Sequence, residues 1–113
     1  MLEVFTSQYR YNGPHRLDIT VKGKDPFGKY FAPTWKMVIK SKKGLITQEE
    51  YTQEYYSLMR KSYITYPHIW KRLLCMKKIV LVCFCSPNTF CHRLILAEIL
   101  QKLGAVYKGE ILL

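Results

Sequence analysis

The feature that most constrains the fold lies at residues 79–93. There the apolar run Ile79-Val80-Leu81-Val82-Cys83-Phe84 passes through Cys85-Ser86-Pro87-Asn88-Thr89-Phe90 into Cys91-His92-Arg93. A continuous apolar run stopped by a Pro-Asn turn predicts a buried strand. Leu94, Leu96, Ala97, Ile99, Leu100 and Leu103 then predict a helix. The carboxyl end of the strand therefore meets a helix N-terminus, where unpaired backbone N–H groups and the helix dipole favour an anion. In an α/β protein, ligand binding and chemistry gather at such a junction.

The rest of the chain supplies the partners that such a strand needs. Residues 3–6 read as a first short strand and Tyr11-Asn12-Gly13-Pro14 as a turn, while residues 16–21 alternate with period two, placing Leu17, Ile19 and Val21 on one face. Residues 22–43 show no lasting periodicity and read as a long ordered loop, with a short helical turn at 36–40. Thr47-Gln48-Glu49-Glu50 is a capping box, and Tyr51, Tyr55, Leu58 and Met59 give the helix behind it an inward stripe running to about residue 61. Pro67 opens a further helix with Ile69, Trp70, Leu73 and Leu74 inward and Lys71 and Arg72 outward. Gly104 suits a helix C-cap, and residues 105–112 suit a final edge strand. Strands first, helices in the middle and a closing strand–helix–strand unit predict an α/β fold. The expectation is a small, single-domain Rossmann-like sandwich over residues 1–113, in two or three layers, with a short, mostly parallel sheet.

With 113 residues, 49% of them hydrophobic, the chain has material for one core. No apolar stretch approaches a membrane span and the first residues lack the pattern of a signal peptide, so a cytoplasmic protein is expected, without membrane partners. The formal net charge of +10 is unevenly spread. Between Tyr55 and Ala97 there is no Asp or Glu, but Arg60, Lys61, Lys71, Arg72, Lys77, Lys78 and Arg93 lie there. A second acid-free stretch, residues 27–48, carries Lys29, Lys36, Lys40, Lys42 and Lys43. Such a charge distribution attracts phosphates, nucleic acid or acidic proteins, or forms an ordinary solvated surface. The four cysteines are expected to be reduced, and Cys75, flanked by Leu74 and Met76, is expected to be a buried apolar residue.

Taken together, several segments resemble domain of unknown function 488. They are Phe5-Thr6-Ser7, Leu17-Asp18-Ile19, Phe31-Ala32-Pro33, Ile46-Thr47-Gln48-Glu49-Glu50-Tyr51 with Tyr55, and Leu81-Val82-Cys83 followed by Phe90-Cys91-His92-Arg93. The resemblance implies a compact α/β fold and a shared pocket without an assigned reaction. In the family pattern an acidic residue commonly stands two places after the strand cysteine, and here that place holds Cys85. The short length and the Tyr- and Lys-rich composition would suit a pared-down member encoded by a bacteriophage, which would place it in the host cytoplasm.

Four chemistries compete at the junction. In an anion site, Arg93 would fork onto a phosphate, the turn amides from Asn88 through Thr89 to Cys91 would add donors, and His92 would supply a proton near neutral pH. Alternatively, Arg93 ties the turn to Glu98 or to backbone carbonyls. A nucleophilic thiol at Cys91 is a second reading, although the spacing from Cys85 or Cys91 to Arg93 does not match a phosphatase-type phosphate loop. Cys83, Cys85, Cys91 and His92 are competent metal ligands, but their spacing is not that of a zinc knuckle, and no metal or cofactor is expected. Tyr51, Tyr55, Phe31 and Trp35 would form an aromatic wall, with the Tyr51 or Tyr55 hydroxyl reaching the Cys-His-Arg turn. The favoured expectation is binding of a phosphorylated, nucleotide-like small molecule or nucleic acid at residues 83–93, with Cys83 and Cys85 in the ligand site. An enzyme acting through His92 and Cys91 with Arg93 as clamp remains open, as does a protein whose basic face covers an acidic host protein.

Overall fold

The structure is a computed structural model that describes residues 1–84 and 91–113. Four strands, β1 (Glu3–Gln8), β2 (Arg16–Asp18), β3 (Lys78–Cys83) and β4 (Val106–Ile111), form one sheet in the order β2-β3-β1-β4. Every pairing is parallel. Between β2 and β3 come a 3-10 turn at Gly28–Phe31 and the helices α1 (Trp35–Lys42), α2 (Gln48–Thr65) and α3 (Pro67–Leu74). Helix α4 (His92–Lys102) connects β3 to β4. The expected α/β class and parallel sheet are both present. No helix among the described residues is long and apolar enough to cross a membrane.

Register explains why one sheet face carries the core. Val4 pairs with Ile79, and Leu81 with both Thr6 and Leu17, so these side chains share a face. Val4, Leu17, Ile79 and Leu81 belong to the same apolar cluster as Met37 of α1, Tyr55 and Met59 of α2, Trp70 and Leu73 of α3, and Leu96 and Leu100 of α4. The helices thus cover that single face. On the other face, Val80 and Val82 are also buried. There Arg16 donates from Nε to the Tyr11 carbonyl (2.8 Å) and from Nη2 to the Tyr9 carbonyl (2.9 Å), tying residues 9–15 to the sheet.

The strong local signals give the expected elements. At the start of α2, Thr47 Oγ1 accepts from the Glu50 amide (3.0 Å) and Glu50 Oε1 accepts from the Thr47 amide (2.9 Å). Pro67 occupies the first turn of α3. Elsewhere the structure departs from expectation. Helix α1 spans Trp35–Lys42 instead of one turn; Thr34 caps it, its hydroxyl accepting from Met37 N at 3.2 Å. Strand β2 stops at Asp18, because the Asp18 carboxylate accepts from both the amide and the hydroxyl of Thr20 (2.9 and 2.6 Å) and curls the chain. Cys75 lies exposed at the C-cap of α3 instead of in the core.

Strand β4 contains an irregularity that matters for the site. Its register against β1 shifts between Val4 and Phe5, where Gly109 adopts φ +113°. Pairing resumes with Glu110 opposite Thr6. Alternation alone would put Tyr107 and Glu110 on opposite faces, and the extra residue brings both to the helix side. There the Tyr107 hydroxyl bonds Thr6 Oγ1 (2.7 Å) and Glu110 meets α4.

Candidate functional site

The C-terminal ends of β2 and β3 and the start of α4 open onto a cavity of about 380 Å3. Thr20, Val21 and Lys22 follow β2, Trp35, Val38 and Lys42 come from one side of α1, and Tyr51 comes from the first turns of α2. Phe84 beyond β3 and Cys91 and His92 at the start of α4 close the wall. Thus the junction read as ligand-binding in the sequence borders a cavity, and Tyr51 and Trp35 reach it as expected. Lys22, Lys42 and Thr20 come to it from segments with no motif signal.

His92 is fixed from two sides. Its Nε2 lies 2.8 Å from the Ile19 carbonyl, which can only accept, so Nε2 carries the hydrogen and Nδ1 faces the Cys91 sulfur at 3.6 Å. Burial pushes the imidazole pKa down to about 4; the bond to Ile19 opposes this, Arg93 nearby reinforces it and Asp18 opposes it. His92 is consequently neutral at neutral pH and does not supply the proton expected of it. The Tyr55 ring lies 5.8 Å from the imidazole between centroids. The Tyr55 hydroxyl, however, donates to the Phe31 carbonyl (2.7 Å) and not to the Cys-His-Arg turn. Burial holds both Tyr51 and Tyr55 protonated, well above the ordinary tyrosine range.

Arg93 is fully buried. Its Nε donates to Glu110 Oε1 (3.2 Å), its Nη2 to Glu110 Oε2 (3.0 Å), and its Nη1 to Cys83 Sγ (3.0 Å). Burial disfavours its charge, but Glu110 and Cys83 more than offset that, leaving the pKa above the ordinary arginine value. The guanidinium spans from α4 to β4 and the end of β3 and does not line the cavity. The carboxylate that holds Arg93 is Glu110, in place of the expected Glu98. Glu98 pairs instead with Lys102 (3.6 Å) and accepts from the Tyr56 hydroxyl.

Cys83 closes β3 and is buried. Cys91 is the N-cap of α4, makes no side-chain cap bond, and is disulfide-bonded, contrary to the expectation of reduced thiols throughout. Cys75 and Cys83 carry thiols. The sulfurs of Cys83 and Cys91 and a ring nitrogen of His92 lie within 4.8 Å of one another, close enough to share a soft cation. A sulfur held in a disulfide is neither a metal-binding thiolate nor a nucleophile, so neither role for Cys91 is available in this form. Cys85, Asn88 and Thr89, named from the sequence as ligand-binding, lie outside the described residues.

Electrostatics and shape at the cavity work together. The amines that reach it belong to Lys22 and Lys42, and Lys22 Nζ sits 5.0 Å above the centroid of the Trp35 ring. Tyr9 stacks on Phe84 at 4.1 Å, supporting the rim. A parallel α/β sheet with a ligand-sized cavity beyond its strand ends defines the general class. More particularly, residues 2–104 match DUF488-N3a, described as the active DUF488-N3 subclade, and the chain belongs to that family. No curated protein and no solved structure matches the chain significantly.

Proposed function

We propose that the chain binds a small phosphorylated ligand bearing a planar ring, of nucleotide type, in the cavity at the ends of β2 and β3. The observation that carries this reading is that Lys22, Lys42 and Trp35 line the same cavity. Two amines suit a phosphate, and the indole suits a flat ring. Ser41 adds a hydroxyl to the same cavity. The volume falls within the roughly 300–1,000 Å3 of small-molecule sites. Arg93 does not touch the ligand in this reading; it positions the start of α4.

The test uses the two tryptophans. Trp35 is 45% exposed and Trp70 1%, so a ligand in the cavity reports through Trp35. Titration with adenosine 5′-monophosphate should change tryptophan fluorescence and raise the melting temperature, and Lys22→Ala should weaken binding by about tenfold, the value of one charge-assisted hydrogen bond. Absence of both signals with this probe and with inorganic phosphate would refute the reading.

The description of the family as active favours a second reading, in which the bound ligand is turned over. It requires a reduced Cys91, because the thiolate is the form in which that residue reacts and a disulfide sulfur cannot supply one. Incubation of adenosine 5′-monophosphate with the dithiothreitol-treated protein, followed by phosphorus NMR, separates the two readings. An unchanged spectrum leaves binding alone.

A further inference from the structure

The first part of the acid-free segment between Tyr55 and Ala97 folds into a surface toward the opposite end of the strands. Strand β3 starts at Lys78 and ends at Cys83 beside the cavity. At roughly 3.3 Å per residue the two ends stand about 17 Å apart. Helix α3 buries Ile69, Trp70 and Leu73 and leaves Lys71 and Arg72 exposed, and Lys77 and Lys78, also exposed, follow it. The end of α2 lies alongside, held by the bond from Trp70 Nε1 to Ser62 Oγ (3.0 Å) and the edge contact of Tyr63 with Trp70 (5.6 Å). That adds exposed Arg60 and Lys61.

Two further observations separate this surface from an ordinary lysine-rich exterior. Among the described residues, none of these six cations takes part in an ion pair. Large aromatic side chains also stand among them, Tyr63 at 44% exposure and Tyr66 at 40%, so the surface is aromatic as well as basic. Beside them Arg60, Tyr63 and Trp70 line a groove of about 190 Å3 with Tyr56 and Leu103. Cations interleaved with aromatic rings match a chain of phosphates carrying splayed-out bases. A duplex would use the cations only, since its bases are already stacked on one another.

We propose that the face formed by α3, the end of α2 and the start of β3 binds single-stranded nucleic acid. Phosphates lie against Arg60, Lys61, Lys71, Arg72 and Lys77, and bases stack on Tyr63 and Tyr66. This surface is separate from the cavity and goes beyond the ligand proposed there.

Fluorescence anisotropy of labelled oligothymidylate, measured over a range of salt concentrations, tests the inference. Lys71→Glu/Arg72→Glu should reduce the slope of log K against log salt by about 1.4, from about 0.7 for each phosphate of a single strand that is no longer neutralised. Tyr63→Ala should weaken binding at least about fivefold while leaving that slope unchanged. Lys36→Glu/Lys43→Glu on and beside α1, which changes net charge equally, should leave most of the affinity. Should Lys71→Glu/Arg72→Glu not fold, Lys61→Glu/Lys77→Glu carries the same expectation. Equal weakening by the α1 pair, or equally tight binding of duplex DNA or polyglutamate, would overturn the proposal. Displacement of the oligonucleotide by adenosine 5′-monophosphate would also overturn it, by moving the site to the cavity. Oligonucleotide binding without any monophosphate signal would instead refute only the cavity reading.

Discussion

Acid should destabilise this protein through His92, and the size of the effect follows from its surroundings. The buried imidazole has a pKa of about 4, against an ordinary value near 6.5 in the unfolded chain. Between these values the unfolded state holds more protons than the folded state, so stability falls as pH falls. The stabilising contribution is complete above pH 6.5 and is lost as pH drops through 4. The difference amounts to about 2 kcal/mol by pH 5 and about 3 kcal/mol by pH 4. Urea unfolding of the native chain and of His92→Gln across pH 4–7 isolates the imidazole, because carboxylate titrations are common to both. The variant should be the less stable at pH 7, having lost the positioned ring, and the gap should narrow by about 3 kcal/mol toward pH 4. An NMR titration should show one of the three histidines still neutral at pH 5. A gap independent of pH, or three histidines all titrating near 6.5, would refute the argument that burial holds this ring neutral.

Two more expectations concern β4. Glu110→Gln leaves the Arg93 guanidinium buried without its carboxylate and should cost about 3–5 kcal/mol, whereas Arg93→Met/Glu110→Leu should recover much of that loss; equilibrium unfolding decides, and a cost below about 1 kcal/mol for Glu110→Gln would remove the ion pair from the account. Gly109→Ala meets no steric obstacle but must adopt φ +113°, so it should destabilise by about 1–3 kcal/mol, and an unchanged urea midpoint would show that the bulge tolerates a side chain.

Legibility in the sequence tracks how local the determining interaction is. The capping box of α2 needs only Thr47 and Glu50, and β3 needs only its own apolar run, so both are readable. Helix α1 is not, because Met37 is its only buried residue and one side chain makes no periodic stripe. The shortening of β2 depends on the Asp18 carboxylate choosing Thr20, which alternation of Leu17, Ile19 and Val21 does not report. At the site, position along the chain locates Cys91 and His92 beside a cavity but does not give the direction of Arg93. Its partner Glu110 becomes reachable only because the Gly109 bulge turns it inward. Lys22 and Lys42 both line a cavity made by tertiary folding of an aperiodic segment. Nothing in their neighbours' sequence marks them.

The strand order has a consequence for assembly on the ribosome. Among the described residues, strand β1 pairs only with β3 and β4, and β2 only with β3. Neither of the first two strands therefore has a ladder partner until Lys78–Cys83 has been synthesised, by which time three helices precede it. A nascent chain ending before that point has helices to form and no sheet to form them on. The loop closures that join β1 to β3 must be made before any strand pairing stabilises the chain, which puts the entropic cost of folding ahead of its gain. The central strand that delivers Cys83 to the site is thus also the element on which the order of folding turns.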